Sequence, residues 1–380
     1  MFGWDYVALL LFLSGTVIVD YIAYERNMKI VFRGKKYVAN TIILRMAFLV
    51  LWFMAAFRGL DIGNDTQSYF RTYQKIARKG FLGETRMEKG YVILNLILAH
   101  IFDGNVTGFH VLVFITSFIS YTAVEQWIEK HTDKYGLCII TFYFFLNHVF
   151  MSTIRQSLAA GLVLWSMMAW EEMKGKSRYV VSGVLIVIAA SFHATVLIAL
   201  IIPLIAKLKF SIYSVMLILG TTTVATLMNL TKIFAVMIGR GTSYINAQVE
   251  NAASFSVTLL FYAVILFLRF VGLQGSVSTY DARIRRFYSE DFYTYCICLS
   301  IAISILSLRM AGLSRLTIYF DLIWLPYISN VIKKIKKRKY EAVITIVFAS
   351  MVWWYSVVTL VLRPEWAHIW PYHSYLTEIL

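Results

Sequence analysis

Apolar stretches close to the length of a bilayer crossing, about 20 residues, follow one another along nearly the whole chain, with short polar segments between them. The pattern predicts helices near 4–23, 38–57, 107–127, 136–152, 156–171, 178–192, 193–207, 211–230, 254–272, 291–308, 315–331 and 341–361. The expected fold is therefore an all-α polytopic membrane protein with about twelve transmembrane helices, forming a single integral membrane domain over residues 1–380. Two stretches depart from the simple pattern. Tyr91 to Phe102 is apolar and helical but only about 12 residues long, short of a crossing, and is read as a re-entrant or interfacial helix on the outer side. Tyr179 to Ile205 is long for one helix and holds Ser191-Phe192-His193 at its middle, so two tilted helices meeting at an outward turn are expected. No internal repeat and no inverted symmetry of the transporter kind is visible.

Composition agrees with the pattern. Of 380 residues 59% are hydrophobic and 15% charged, against about 25% charged in soluble domains, which excludes a water-soluble core. The net charge of +15 invites a nucleic-acid reading, but the cations sit in short clusters between apolar segments, as the positive-inside rule requires. These clusters are Arg26 to Lys36, Lys130 and Lys134, Lys174 to Arg178, Lys207 and Lys209, Arg283 to Arg286, and Lys333 to Lys339. One threading places all of them in the cytoplasm. Both termini then lie outside, with the segments near 58–106, Met151–Arg155, Ser191–His193, 231–253, Arg309–Ser314 and 362–380. Cys138, Cys296 and Cys298 lie in apolar runs without metal-ligand spacing and are read as packing residues. The run from Trp4 to Ile22 lacks a basic leader and a small-residue cleavage site, and is read as a first span.

Candidate chemistry collects on the outer face. Arg58-Gly59-Leu60-Asp61-Ile62-Gly63-Asn64-Asp65-Thr66-Gln67-Ser68-Tyr69 combines a cation, two carboxylates and two turn glycines, so that Asp61 and Asp65 can be aimed at a cavity between helices. The plainer reading is a helix cap at Asp65 or Thr66 opening an amphipathic helix through Arg78. Two carboxylates without further acidic partners are a weak metal signal, and no metal is expected. Glu88 precedes the short apolar helix, as cap or as base. Arg155 lies between two apolar runs, where insertion costs about 2.5–3.5 kcal/mol unless an anion or water meets it. Arg309 and Arg315 flank an outward turn. Guanidinium binds phosphate oxygens as a fork, so Arg58, Arg155, Arg309 and Arg315 on one face indicate a diphosphate site; snorkelling is the alternative. His193 is a candidate base or phosphate ligand, or a structural histidine.

The order of these elements resembles the EpsG family, a branch of the Wzy-type polysaccharide polymerases of bacterial envelopes. The resemblance rests on Arg58-Gly59 with the Asp61 to Tyr69 loop, Glu88-x-Gly90-Tyr91, Arg155-Gln156, the Phe192-His193 turn, and Arg315 to Tyr319 ahead of Leu325-Pro326. It implies a GT-C-like glycosyltransferase without a cofactor, in the bacterial cytoplasmic membrane with its site facing outward. Such an enzyme joins polyprenyl-diphosphate-linked oligosaccharide repeats of an O-antigen, capsule or exopolysaccharide. Asp61, Asp65, Glu88 and His193 are then the catalytic candidates, the four arginines hold the diphosphate, and Tyr69, Gln156 and Tyr319 support them. Implied partners are the lipid-linked oligosaccharide, membrane lipid, a chain-length-regulating co-polymerase and a flippase, with no nucleic acid. A transporter of an anionic glycan and an envelope acyltransferase are the competing readings.

Overall fold

The computed structural model describes residues 4–32, 35–80, 87–228, 252–273, 288–309, 311–335, 338–364 and 367–376. The elements in chain order are α1 (Trp4–Glu25), a hairpin of β1 (Lys29–Phe32) and β2 (Lys35–Val38), α2 (Ala39–Ala56), α3 (Thr66–Lys79), α4 (Lys89–Ile101) and α5 (Val106–His131). There follow α6 (Gly136–Ser152), α7 (Ile154–Glu172), α8 (Gly175–Phe192), α9 (Ala194–Ile205) and α10 (Ile212–Leu227). The last are α11 (Ala252–Leu273), α12 (Glu290–Ser307), a 3-10 segment Ala311–Thr317, α13 (Ile318–Ile332) and α14 (Arg338–Ser356), which continues through a π-helical turn, Val357–Leu362. The expected helices therefore form, within a few residues of their expected ends. The charge pattern does not predict the hairpin, whose Val38 falls in the expected helix 38–57; Lys29↔Val38 and Phe32↔Lys35 pair across it in antiparallel register.

Among the described residues, five helices are long and apolar enough to cross a membrane: Ala39–Ala56, Val106–His131, Gly175–Phe192, Glu290–Ser307 and Lys339–Leu362. The protein is thus a helical membrane protein. Shorter apolar helices include Gly136–Ser152 and Ile212–Leu227. The expected turn at His193 is present as a helix break: α8 ends at Phe192, and His193 is extended with φ −155° and ψ 111°. Helix α4 has 13 residues, about 20 Å at 1.5 Å each, too short for a hydrocarbon core of about 30 Å.

The described chain forms two compact units, residues 1–197 with 345–380, and residues 198–344. In the first, α5 packs against α2, α4 and α7, and α7 lies along α8. Helix α3 is amphipathic. Thr66, Tyr69, Tyr73 and Ile76 recur at helical spacing and are buried. They join Tyr91, Leu98, Phe109, Leu112 and Ile154 in one apolar cluster, which fixes α3 and α4 across the start of α5 beside the first turn of α7.

The second unit packs α10, α11 and α13 on α12. At its centre Asp321 is buried and accepts hydrogen bonds from Tyr262 Oη (3.0 Å), Ser300 Oγ (2.7 Å) and Trp324 Nε1 (3.0 Å). Three neutral donors from α11, α12 and α13 thereby offset the cost of burying a carboxylate.

Candidate functional site

The loop after α2 turns sharply and is held by a distant part of the chain. Gly63 has φ +86°, and an added Cβ would stand 2.6 Å from the Met151 carbonyl oxygen, so both backbone conformation and space demand glycine. Asn64 N–H donates to Ser152 Oγ at 3.3 Å, which ties the loop to the end of α6. The C-terminal segment lies across the same loop. Gly63 N–H donates to the His368 carbonyl (2.7 Å), Gly59 N–H to the His373 carbonyl (3.1 Å), and Tyr375 N–H to the Phe57 carbonyl (3.1 Å). Arg58 and Ser374 form an antiparallel bridge. Among side chains, Asp61 Oδ1 stands 2.5 Å from His373 Nε2, and Tyr375 stacks on His110 at 3.7 Å.

Arg58 is buried, at 2% exposure. Its Nη1 donates to the Ala55 carbonyl and its Nε to Thr66 Oγ1, while Nη2 has no hydrogen-bond partner. Among the described residues no carboxylate pairs with it, and burial pushes its guanidinium down to about 10. It lines a small cavity with Thr116, Ser120, Tyr121 and Ser157, with room for about one water molecule.

The second centre joins three residues remote in sequence. Glu88, the residue before α4, accepts from Arg155 Nη1 through one oxygen and from the Ala194 backbone N–H (3.0 Å) through the other. His193 Nδ1 stands 3.4 Å from that second oxygen. Burial alone would raise the Glu88 carboxyl, but His193, the Ala194 N–H and Arg155 outweigh it and hold it down at about 2. Arg155 also lies over the Tyr69 and Tyr91 rings, 5.7 and 5.6 Å from their centroids. Its Nε and the Tyr91 hydroxyl are buried with no hydrogen-bond partner. The side chains of Arg155, Glu88 and His193 remain 14–17% exposed, so the centre can be reached from outside. A partly open guanidinium with one uncommitted donor, Nε, is suited to an oxyanion.

The other candidates are placed separately. Asp65 precedes α3 and makes no side-chain cap hydrogen bond. Gln156 is buried next to Arg155. Arg309, after α12, and Arg315, in the 3-10 segment, are exposed in the second unit, and Tyr319 is buried on α13 there. Among the described residues no group of three or more His, Cys, Asp or Glu side chains is placed to hold a metal ion. Sequence reasoning missed His373, His368 and the docking of the C-terminal segment. The signal available was two of the chain's seven histidines in a C-terminal segment that also carries Trp370, Tyr372 and Tyr375.

Comparison with known proteins gives one positive result. The model of the EpsG family matches residues 41–374. No curated protein and no solved structure gives a significant match.

Proposed function

Because this chain belongs to the EpsG family, matched over residues 41–374, and is a polysaccharide-polymerase-like membrane protein, we propose that it is a GT-C-like glycosyltransferase of about twelve crossings. It joins polyprenyl-diphosphate-linked oligosaccharide repeats on the outer face of the bacterial cytoplasmic membrane. The observation that carries this reading is the Arg155 centre, where a partly open guanidinium is held by Glu88, Tyr69 and Tyr91 and keeps Nε uncommitted.

The chemistry follows from those groups. A sugar hydroxyl of one lipid-linked unit attacks the anomeric carbon of the other, and the bond to the diphosphate oxygen breaks. Negative charge grows on the leaving diphosphate, where a fixed guanidinium in a partly dry site stabilises the transition state more than water does. Glu88 has low proton affinity and fixes Arg155, so it serves as a positioning residue. His193 lies beside the same oxyanion position. In this proposal a chain-length-regulating co-polymerase and a flippase are its partners.

The test is direct. Purified protein given only polyprenyl-diphosphate-linked repeats makes a ladder of longer lipid-linked glycans without nucleotide sugar. Substrate that only changes sides of the membrane would identify a transporter instead, and a requirement for an acyl donor an acyltransferase.

A further inference from the structure

The polymerase chemistry needs a proton acceptor, and the Arg155 centre supplies a poor one. Glu88 is committed to Arg155 and the Ala194 N–H, and the buried His193 Nδ1 faces Glu88. The loop above Arg58 offers a different arrangement. Asp61 Oδ1 lies 2.5 Å from His373 Nε2, with side-chain exposures of 65% and 39%. Gly59 makes this approach possible: an added Cβ would stand 2.6 Å from His373 Nε2 and 2.9 Å from Asp61 Oδ1. The Gly59 N–H also holds the His373 carbonyl. Backbone hydrogen bonds from Gly59 to the His373 carbonyl and from Tyr375 to the Phe57 carbonyl hold the segment that carries the imidazole against the loop that carries Asp61.

We propose that His373 is the general base for the attacking sugar hydroxyl and that Asp61 positions it. A carboxylate at Nε2 fixes the proton on that nitrogen and leaves Nδ1 with its lone pair free to accept. The sugar O–H gives its proton to Nδ1 as the new glycosidic C–O bond forms. The electron pair of the broken bond leaves with the diphosphate, and the imidazolium, stabilised by Asp61, returns its proton to solvent. The charged and titratable groups around the pair are the buried Arg58, whose backbone bridges to Ser374, together with Tyr372, Tyr375, His110 and His368, the last on Asn64.

This assignment rests on the polymerase reading, and the experiment separates the two. Ladder formation is measured for the wild type, His373→Ala, His373→Gln, Asp61→Asn and Gly59→Ala, with donor binding measured in parallel. The His373 variants are expected to lose about 10²- to 10⁴-fold in kcat, with KM within about twofold. Added imidazole is expected to restore part of the rate to His373→Ala but not to Gly59→Ala, which retains a displaced side chain. A histidine that only pins the C-terminal segment would not respond to imidazole. Wild-type kcat in both His373 variants, or a loss that imidazole leaves untouched while donor still binds, would overturn the assignment. A wild-type protein that makes no ladder overturns the polymerase reading itself.

Discussion

Glu88 is the residue on which the Arg155 centre turns. Its folded carboxyl is held at about 2 against an ordinary 4.5. A depressed carboxyl contributes stability that is fully present above the ordinary value and is lost as pH falls toward the folded one. Thermal melting of the detergent-solubilised protein should therefore show a loss of stability between about pH 4.5 and 2 that Glu88→Gln lacks, because the amide cannot titrate. An identical acid profile in the two proteins would show that Glu88 is not the group responsible. The three members of this centre were all legible as separate candidates, because a carboxylate before an apolar helix, an arginine between two apolar runs and a histidine in a hairpin turn each violate the apolar pattern. Their meeting was not legible, since it depends on how α4 and α7 pack on α5 and how α8 packs on α4 and α7. His373 was missed for the opposite reason: in a tail outside the apolar runs a histidine violates no pattern, and only the chain's return across the Arg58 loop gives it a partner.

At the scale of elements, the junction of α4 with the end of α8 leaves no room for a side chain at Gly90. A Cβ on Gly90 would collide with Ser191 Oγ and stand 2.8 Å from the Ser191 carbonyl oxygen. Gly90→Ala is expected to cost about 1–3 kcal/mol of stability and to loosen the Glu88 contact with the Ala194 N–H. Ser191→Ala is not expected to rescue it, because the backbone oxygen stays in place. Thermal denaturation of the single and double variants checks both statements, and full rescue would show that only the serine hydroxyl mattered. The amphipathic α3 and the short α4 were readable from spacing alone, as Tyr69, Tyr73 and Ile76 fall on one face and the apolar run from Tyr91 is too short to span. The β1–β2 hairpin was hidden because Ile30, Val31, Tyr37 and Val38 are interleaved with lysines that the charge pattern alone explains. The π-helical turn at Phe142–Leu146 in α6 left no periodic trace, since all five of its residues are buried and apolar or aromatic.

For the whole molecule, the sidedness read from charge is an expectation that labelling tests. The Arg58 loop, the end of α6 and the C-terminal segment are bound to one another, so they share one side of the membrane. Single cysteines at Asn64 and His368 should both react with a membrane-impermeant maleimide applied to intact spheroplasts, while cysteines at Lys134 and Lys174 should react only after permeabilisation. Opposite labelling of Asn64 and His368 would contradict the docking of the C-terminal segment, and labelling of both from inside would invert the topology. Four arginines were grouped from sequence as a single diphosphate site. Arg58 and Arg155 stand in the first unit, the former buried and the latter partly open, while Arg309 and Arg315 stand exposed in the second. Charge patterning supplies a side of the membrane but carries no information on which compact unit a residue joins.

The central claim is that glycan repeats are joined at the Arg155 centre with loss of a lipid diphosphate. Its most direct measurement is the amount of polyprenyl diphosphate released per repeat added, in vesicles holding the wild type or Arg155→Lys. For the wild type we predict one lipid diphosphate released for each repeat joined. For Arg155→Lys we predict a rate lower by about 10²-fold or more with the protein still folded, because a point charge cannot reproduce the fork that meets the departing oxyanion. Chain growth at the wild-type rate in Arg155→Lys, or repeats that cross the membrane unjoined with no diphosphate released, would contradict the account.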